Sequence, residues 1–428
     1  MSSFLFQEVL DATGARLVRG DGAGRLHGVS TDTRTLQEGQ LYLALAGPNF
    51  DGNHFAADAC GRGAGGLLLR ATDDPREAER CAALPGHAPL ATVADPLAAL
   101  SALAAWHRAR LDVPVLGITG SCGKTTTKNM VVELLEGHLR VVGSPASFNN
   151  EIGVPHTLLL ADRSTEVLVV EMGTNAPGEI QALCQTARPT CAIITNVGAS
   201  HLEGLGSVEG VAREKGGLAA AVPQDGFVVL NADCRFTPLL RSLTSAKVIT
   251  FSIDGSGDLN ASDVWFHRGG TTFTLDGERS VTVPLLGLHS VQNLLAAMAA
   301  CRGLGLPLDQ VLPSVGRLRA GRQRLEPIEV GGLTLLDDSY NANPESARAS
   351  VRVLAGLHGF ERRVLVMGEM HELGGASKEM HRELGRQAAQ AGVDLLVTVG
   401  AGAAPTAVGA LAEGLASERV VHTASLEE

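Results

Sequence analysis

The chain has 428 residues, of which 45% are hydrophobic and 19% charged, and its formal net charge at pH 7 is −11. This length predicts about three domains of ordinary size. The composition is typical of a folded α/β protein and excludes a disordered chain. The acidic balance disfavours a nonspecific nucleic-acid surface, because such binding depends on a basic face.

The N-terminal sequence gives no sign of export. Residues 1–8 contain no basic start and no sustained apolar run, and the apolar runs elsewhere have the length of strands. We therefore expect a cytoplasmic protein with no signal peptide and no membrane insertion. The cysteines are odd in number and never spaced as Cys-x-x-Cys, which argues against disulfides and a zinc site. They are Cys60, Cys81, Cys122, Cys184, Cys191, Cys234 and Cys301.

Two breaks divide the chain. Residues 97–110 carry Leu100, Leu103 and His107 at helical spacing, and the helix they predict is broken at 111–114, which ends in Pro114. A Gly/Arg-rich stretch, 316–324, separates two later regions. The predicted domains are residues 1–111, 112–316 and 317–428.

Short apolar runs alternate with helical stretches after the first break. This alternation predicts a parallel sheet with crossover helices, and residues 247–284, richer in Thr, Phe and Val, are expected to add antiparallel strands. A second α/β set is predicted after residue 324. The predicted strands are 115–119, 167–170, 191–195 and 228–230 in the first set and 333–336, 363–367 and 395–399 in the second.

A glycine-rich turn follows the strand predicted at 115–119 and leads into a helix that begins near Lys124. This context is that of a phosphate-binding loop, in which backbone amides and the helix N-terminus face the phosphates. Lys124 would reach the β- and γ-phosphates, and the Thr125 hydroxyl would bind Mg²⁺. The spacing departs from the strict motif, since Ile118 stands where glycine is required and the glycine is Gly117. The candidate nucleotide-binding residues are Gly120, Ser121, Gly123, Lys124, Thr125 and Thr126.

Two more candidates lie at strand ends. Glu171 closes the apolar run 167–170 and could bind Mg²⁺, although a strand-end charge is an ordinary alternative. His201 follows the next strand, which we expect to neighbour that of Glu171, and this position makes it a candidate metal ligand rather than a solvated loop histidine.

These motifs together resemble the Mur ligase family, whose phosphate-binding loop has the same glycine offset. The resemblance rests on the loop, on Glu171-Met172-Gly173, on Thr195-Asn196 with His201, and on Lys215-Gly216. It implies that Glu171 and His201 hold Mg²⁺ and that Lys215 is carbamylated, giving a carboxylate-like group that supports the metal site. Without the resemblance, Lys215 would read as an exposed helical lysine.

The resemblance continues along the chain. It implies that Asn293 contacts adenine, that Arg322 approaches the ATP phosphates and that Asp338 holds the ribose. Each of these residues also has a plain structural interpretation, as a helix-capping residue, a linker arginine or a strand-end aspartate.

Three stretches resemble the family members that add D-alanyl-D-alanine: residues 336–344, residues 367–374 with Glu372 as a candidate substrate residue, and the following His381. Residues 30–34, with Thr33 and Arg34, resemble the UDP-binding domain. Residues 147–153, with Asn149 and Asn150, resemble the loop that contacts the substrate.

The resemblance implies three α/β domains: a UDP-binding domain, a central ATPase domain with a parallel sheet and a phosphate-binding loop, and a C-terminal Rossmann-like domain. It implies an ATP-dependent ligase of peptidoglycan synthesis that joins D-alanyl-D-alanine to the terminal carboxylate of UDP-N-acetylmuramoyl-tripeptide through an acyl phosphate. Its partners would be these small molecules and ATP, and a monomer is expected. The Lys-Gly-Ser-Arg-like stretch usual near the family's C-terminus does not occur before Glu428, so either the sequence is incomplete or the third domain is curtailed.

Two alternatives stay open at this stage. One is another ligase of the same fold, which adds the third amino acid of the peptide or extends folylpolyglutamate. The other is a nucleotide-binding homologue that has lost catalysis.

Overall fold

The computed structural model describes residues 2–74, 76, 79 and 83–425. Cys81 and residues 426–428 lie outside these ranges. Within them, helices α1–α14 span Phe6–Thr13, Ala56–Gly61, Pro96–Arg108, Lys124–Leu135, Gly153–Leu160, Glu179–Ala187, Leu202–Leu205, Val208–Ala221, Thr237–Ser242, Leu288–Gly303, Leu308–Val315, Pro344–Gly356, Ser377–Gln390 and Ala404–Ala412. Short 3₁₀ helices span Gly52–Phe55, Gly374–Ala376, Ala401–Ala403 and Ser417–Arg419.

The strands are short, and those with continuous burial are concentrated in the two larger sheets. Strands β1–β23 span Phe4–Leu5, Arg16–Arg19, Arg25–Leu26, Val29–Ser30, Leu41–Leu43, Ala46–Gly47, Phe50–Asp51, Gly66–Arg70, Leu90–Val93, Val115–Thr119, Val141–Gly143, Val167–Glu171, Cys191–Ile194, Phe227–Asn231, Lys247–Ser252, Leu259–His267, Gly270–Leu275, Arg279–Val283, Glu326–Val330, Leu333–Asp337, Val364–Met367, Leu395–Val399 and Val420–Thr423.

The chain divides into two compact units. One comprises Met1–Leu116, Leu139–Met172 and Ala182–Pro189, and the other comprises Gly117–His138, Gly173–Gln181 and Thr190–Glu428. The boundaries expected after residues 111 and 316 remain predictions. Among the described residues, no helix combines the length and the apolar character needed to cross a bilayer.

The N-terminal residues of the first unit form a five-stranded sheet in the order β2-β9-β8-β5-β4. The pairings from β9 to β4 are all parallel, and β2 pairs antiparallel with β9 at one edge. Leu67, Leu68 and Leu69 in β8 are all fully buried. Consecutive apolar residues are buried together because both faces of a parallel strand are covered.

Helix α3 confirms the helix predicted at 97–110. It begins after Asp95, whose carboxylate accepts hydrogen bonds from the backbone N–H groups of Leu97 and Ala98, and Pro96 occupies its first turn. The predicted apolar stripe is buried, and the imidazole Nε2 of His107 lies 2.9 Å from the carbonyl oxygen of Ala161.

A nine-stranded sheet has the order β11-β12-β10-β13-β14-β15-β16-β17-β18. Its last three strands pair antiparallel, as predicted for part of 247–284, whereas β15 pairs parallel to β14. The expectation that the strand before His201 neighbours that of Glu171 is wrong, since β10 lies between β12 and β13. Crossover connections let strands that are consecutive in sequence occupy opposite sides of a third strand.

The C-terminal region contains a parallel sheet, β21-β22-β23, with α13 and α14 packed together. The strand predicted at 333–336 forms, but it does not join this sheet. It pairs antiparallel with β19 in a separate ribbon, and the Leu333 side chain is 73% exposed. Gly331 and Gly332 both have positive φ, which a two-residue hairpin turn of this kind requires.

Candidate active site

The predicted phosphate-binding turn lies between β10 and α4. The Lys124 ammonium donates a hydrogen bond to the carbonyl oxygen of Gly120 at 2.8 Å, which closes the turn on itself. The segment that follows β13 also contacts the turn. The backbone N–H of Cys122 donates to the Asn196 side-chain oxygen at 2.9 Å, and the backbone N–H of Gly198 donates to the Ser121 hydroxyl at 2.9 Å. These hydrogen bonds hold the loop in its shape.

Two glycines of this turn have no room for a side chain. A Cβ added to Gly120 would lie 1.9 Å from the Thr195 hydroxyl oxygen, and one added to Gly123 would lie 2.3 Å from the side-chain oxygen of Asn293. Both glycines also have positive φ. Asn293 is buried, so the residue expected to contact adenine packs against the start of the loop helix.

Glu171 belongs to the other unit, at the carboxyl end of β12, where its side chain is 1% exposed. Its Oε1 accepts a hydrogen bond from the Asn149 amide at 2.9 Å, and its backbone N–H donates to the Ser144 hydroxyl at 3.0 Å. Asn150 has a local role, since its side-chain oxygen accepts hydrogen bonds from Ile152 and Gly153 at the start of α5.

The predicted nucleotide-diphosphate residues lie in a turn of the same unit. The Arg34 guanidinium forms an ion pair with Asp32, with 2.7 Å between Nη2 and Oδ2, and its side chain is 85% exposed. Thr33 is buried. This arrangement leaves the Arg34 side chain accessible to a ligand.

His201 stands at the start of α7 with a left-handed backbone, φ 53°. Its Nδ1 contacts the carboxylate of Glu372. Burial is the largest influence on the imidazole and lowers its pKa, and the Glu372 carboxylate partly opposes this shift. The structure thus joins the predicted metal ligand to the predicted substrate residue.

Lys215 is fully buried in α8. Its ammonium nitrogen has no hydrogen-bond partner among the described residues. Burial, followed by repulsion from Lys124, lowers the pKa of Lys215 from 10.5 to about 7. A substantial fraction of the side chain is therefore an uncharged, nucleophilic amine near neutral pH.

The N-terminus of α12 reaches the phosphate-binding turn. The amide nitrogen of Asn343 lies 3.1 Å from Sγ of Cys122. The carboxylate of Glu345 lies against Gly198, where an added Cβ would approach it to 1.6 Å, and burial raises the pKa of Glu345. Sequence reasoning gave these two residues no role, although Asn343-Pro344 is a recognisable helix start.

Arg324, and not Arg322, contacts the loop helix. The Arg324 guanidinium donates a hydrogen bond to the Thr125 hydroxyl at 3.1 Å and lies 4.2 Å from the centre of the Tyr340 ring. Arg322 is exposed. Asp338, predicted to hold the ribose, accepts hydrogen bonds from the backbone N–H of Leu325 and the hydroxyl of Ser350, and burial raises its pKa.

The chain is similar to known proteins along most of its length. Residues 118–301 match the Mur ligase middle domain, and residues 323–428 match the Mur ligase glutamate ligase domain. A Bacillus subtilis protein, UDP-N-acetylmuramoyl-tripeptide--D-alanyl-D-alanine ligase, is 37% identical over 93% of this chain and 85% of its own length.

Two solved structures are similar. MurF from Acinetobacter baumannii superposes with a TM-score of 0.87 at 28% identity, over 99% of this chain and 90% of that one. MurF ligase from Thermotoga maritima in complex with ADP has a TM-score of 0.78 at 26% identity, over 92% of this chain and 93% of that one.

Proposed function

Because this chain belongs to the Mur ligase family, we propose that it is an ATP-dependent ligase that joins D-alanyl-D-alanine to the terminal carboxylate of UDP-N-acetylmuramoyl-tripeptide. The observation that carries the proposal is the phosphate-binding turn, which Lys124 closes at 2.8 Å and Arg324 reaches at Thr125. The name of the Bacillus relative supports D-alanyl-D-alanine as the added unit rather than the third amino acid.

The proposed reaction has two steps. The tripeptide carboxylate attacks the γ-phosphorus of ATP, the bond to the β-phosphate oxygen breaks, and ADP leaves with formation of an acyl phosphate. The D-alanyl-D-alanine amine then attacks the acyl carbon, loses a proton, and expels phosphate to leave the amide. Lys124 and the amides of the turn stabilise the charge on the transferring phosphoryl group, because they are fixed before the reaction begins.

Mg²⁺ fits the donor groups that the chain supplies. Mg²⁺ prefers oxygen ligands and takes only one or two protein carboxylates beside nucleotide phosphates and waters, so a large protein cluster is not needed. Among the described residues no group of three or more His, Cys, Asp or Glu side chains could hold a metal ion. The Thr125 hydroxyl and the buried Glu171 carboxylate are suitable, with His201 as a further ligand. Bound there, Mg²⁺ would neutralise phosphate charge.

Lys215 is the proposed site of carbamylation. A buried ammonium that has no hydrogen-bond partner in the described part of the chain is unfavourable, and the lowered pKa of the amine frees its lone pair. The Nζ lone pair attacks CO₂, a nitrogen–carbon bond forms, and the amine proton passes to water. The product is a carbamate anion with two oxygens that can accept hydrogen bonds.

The remaining assignments complete the proposal. Residues 1–111 bind the UDP moiety through Thr33 and Arg34, residues 112–316 bind ATP, and residues 317–428 form the C-terminal ligase domain. Asn149 supports the substrate loop, and Asn293 and Asp338 hold the nucleoside. The protein acts in the cytoplasm as a monomer.

A phosphate-release assay tests the function directly. With ATP and Mg²⁺, we expect release of phosphate only when both UDP-N-acetylmuramoyl-tripeptide and D-alanyl-D-alanine are present, with one pentapeptide product formed per phosphate. ATP binding without amine-dependent release would instead support a homologue that has lost catalysis. Release with diaminopimelate or lysine and the UDP-linked dipeptide would indicate the third-residue ligase.

Replacement of Arg324 should lower activity more than replacement of Arg322. Arg324→Ala removes the guanidinium that reaches Thr125, so we expect kcat/KM for ATP to fall about 10- to 100-fold, the usual cost of losing a charged hydrogen bond. Arg322→Ala is the matched control, since that side chain is exposed. An equal fall in both variants would contradict the assignment.

A further inference from the structure

The contact between His201 and Glu372 determines which imidazole nitrogen carries the proton. Glu372 Oε2 lies within hydrogen-bond distance of His201 Nδ1. An ionised carboxylate can only accept, so Nδ1 must donate. In a neutral imidazole the lone pair then resides on Nε2, for which the described residues provide no hydrogen-bond partner.

The backbone at both ends of this contact is unusual. His201 has φ 53° and Glu372 has φ 61°, which is the left-handed region that residues other than glycine seldom adopt. The Glu203 backbone N–H also donates to the Glu372 carbonyl oxygen at 3.4 Å. Two tight turns from distant parts of the chain therefore meet through both a side chain and the backbone.

A buried histidine supports the segment that carries Glu372. His381 is fully buried in α13, and its Nε2 accepts a hydrogen bond from the Met370 backbone N–H at 3.0 Å. Its other ring nitrogen, Nδ1, donates to the carbonyl oxygen of Ser377 at 2.8 Å. The stretch from Met370 to Glu372 is thus fixed two residues away from the carboxylate.

We propose that Glu372 is a positioning residue, which holds His201 as its Nδ1–H tautomer so that Nε2 is the nitrogen available to a metal ion. This inference rests on the proposed function, in which His201 is a metal ligand. Carboxylates that accept a hydrogen bond from a ligating histidine fix its tautomer and orientation and make it a better ligand. The C-terminal region would then control metal affinity without touching the metal.

Energetic considerations favour positioning over a stabilising ion pair. The Glu372 side chain is 54% exposed, and ion pairs at exposed sites contribute little to stability. Replacement of Glu372 should therefore leave the fold intact. Its effect should be confined to the state of the imidazole.

The test uses the full chain, its Glu372→Ala and Glu372→Gln variants, and ¹⁵N NMR of the histidine side chains in metal-free protein at a pH where His201 is neutral. The His201 signals are those lost in His201→Gln. We expect the wild type to show a protonated Nδ1 and Glu372→Ala to shift toward the Nε2–H tautomer. Glu372→Gln, which keeps an acceptor oxygen, should lie between the two.

Mn²⁺ binding, followed by electron paramagnetic resonance with Mn²⁺ alone, is the second measurement. We expect Glu372→Ala to weaken the binding that depends on His201 by about 10- to 100-fold. Glu369→Gln is the matched control, because its carboxylate is on the same segment but lies against Gly402.

The outcomes separate the two proposals. A wild-type tautomer retained in Glu372→Ala, or an equal loss of Mn²⁺ affinity in Glu369→Gln, would overturn the positioning role. If the tautomer changes but the wild type binds no Mn²⁺ or lacks ligase activity, the positioning of His201 stands while its metal role or the proposed function fails.

Discussion

Replacing Lys215 with methionine is expected to abolish ligase turnover and, at the same time, to stabilise the folded protein. The ammonium is fully buried without a hydrogen-bond partner in the described structure, and burial holds its pKa at about 7. An apolar side chain of similar length removes this unfavourable charge, so the free energy of unfolding should rise by about 1–4 kcal/mol. Urea unfolding at pH 7 in CO₂-depleted buffer measures the change.

Because the pKa of Lys215 is lowered in the folded protein, the sign of the pH dependence of its stability is fixed. Between pH 7 and 10.5 the unfolded chain keeps a proton on Lys215 that the folded chain has lost, so the wild-type stability rises with pH. Below about pH 7 the folded protein bears the full free-energy cost of the buried Lys215 charge. The stability gap between Lys215→Met and the wild type should therefore be largest below pH 7 and narrow by pH 9.

Lys128 offers a matched control for this experiment. It is also buried, but it has an interacting partner. Lys128→Met is therefore not expected to stabilise the protein. A Lys215→Met variant that is less stable than the wild type at pH 7 would show that interactions in the folded protein offset the cost of burying the amine. Full turnover in that variant would rule out a catalytic role for Lys215.

The second large effect is expected for Lys124→Ala in the phosphate-binding turn. Removing a preorganised donor to a transferring phosphoryl group lowers kcat by about 10²- to 10³-fold. Because the Lys124 ammonium also bonds the Gly120 carbonyl, the variant should lose some order in the turn and bind ATP more weakly. Phosphate release with both substrates present measures kcat, and calorimetric titration measures ATP binding.

Lys378→Ala, at an exposed position of α13, controls for the loss of a lysine charge. We expect its turnover to match the wild type. Retention of more than about a tenth of the wild-type kcat in Lys124→Ala would be incompatible with the role assigned to Lys124.

The fold and the position of the glycine-rich turn after β10 could be predicted because their signals are local. Buried parallel strands have continuous apolar runs, and the loop between Thr119 and Lys124 contains the glycines and the lysine that its backbone shape requires. The ends of β10 and β12 follow directly from these runs. The family of the chain was predicted from the spacing of several such local motifs.

Contacts between distant segments could not be predicted in this way. Arg322 and Arg324 differ by two positions, and the left-handed backbone of Gln323 and Leu325 decides how the chain runs between them. The approach of Asn343 and Glu372 to the loops of the central sheet depends on tertiary packing over more than 150 residues. The exposure of Leu333 likewise depends on which strand it pairs with, although its glycine turn was a visible signal.

The contact between Cys122 and Asn343 allows motion at this turn to be measured by chemical labelling. Burial raises the pKa of the Cys122 thiol to about 11, and the Asn343 amide lies against its sulfur. A thiol reagent attacks the ionised thiol, so Cys122 reacts faster when the two separate and the sulfur is exposed to water. The rate at which a small alkylating reagent labels Cys122 therefore reports how often the start of α12 leaves the loop, and a bound nucleotide that holds the two together would slow that labelling.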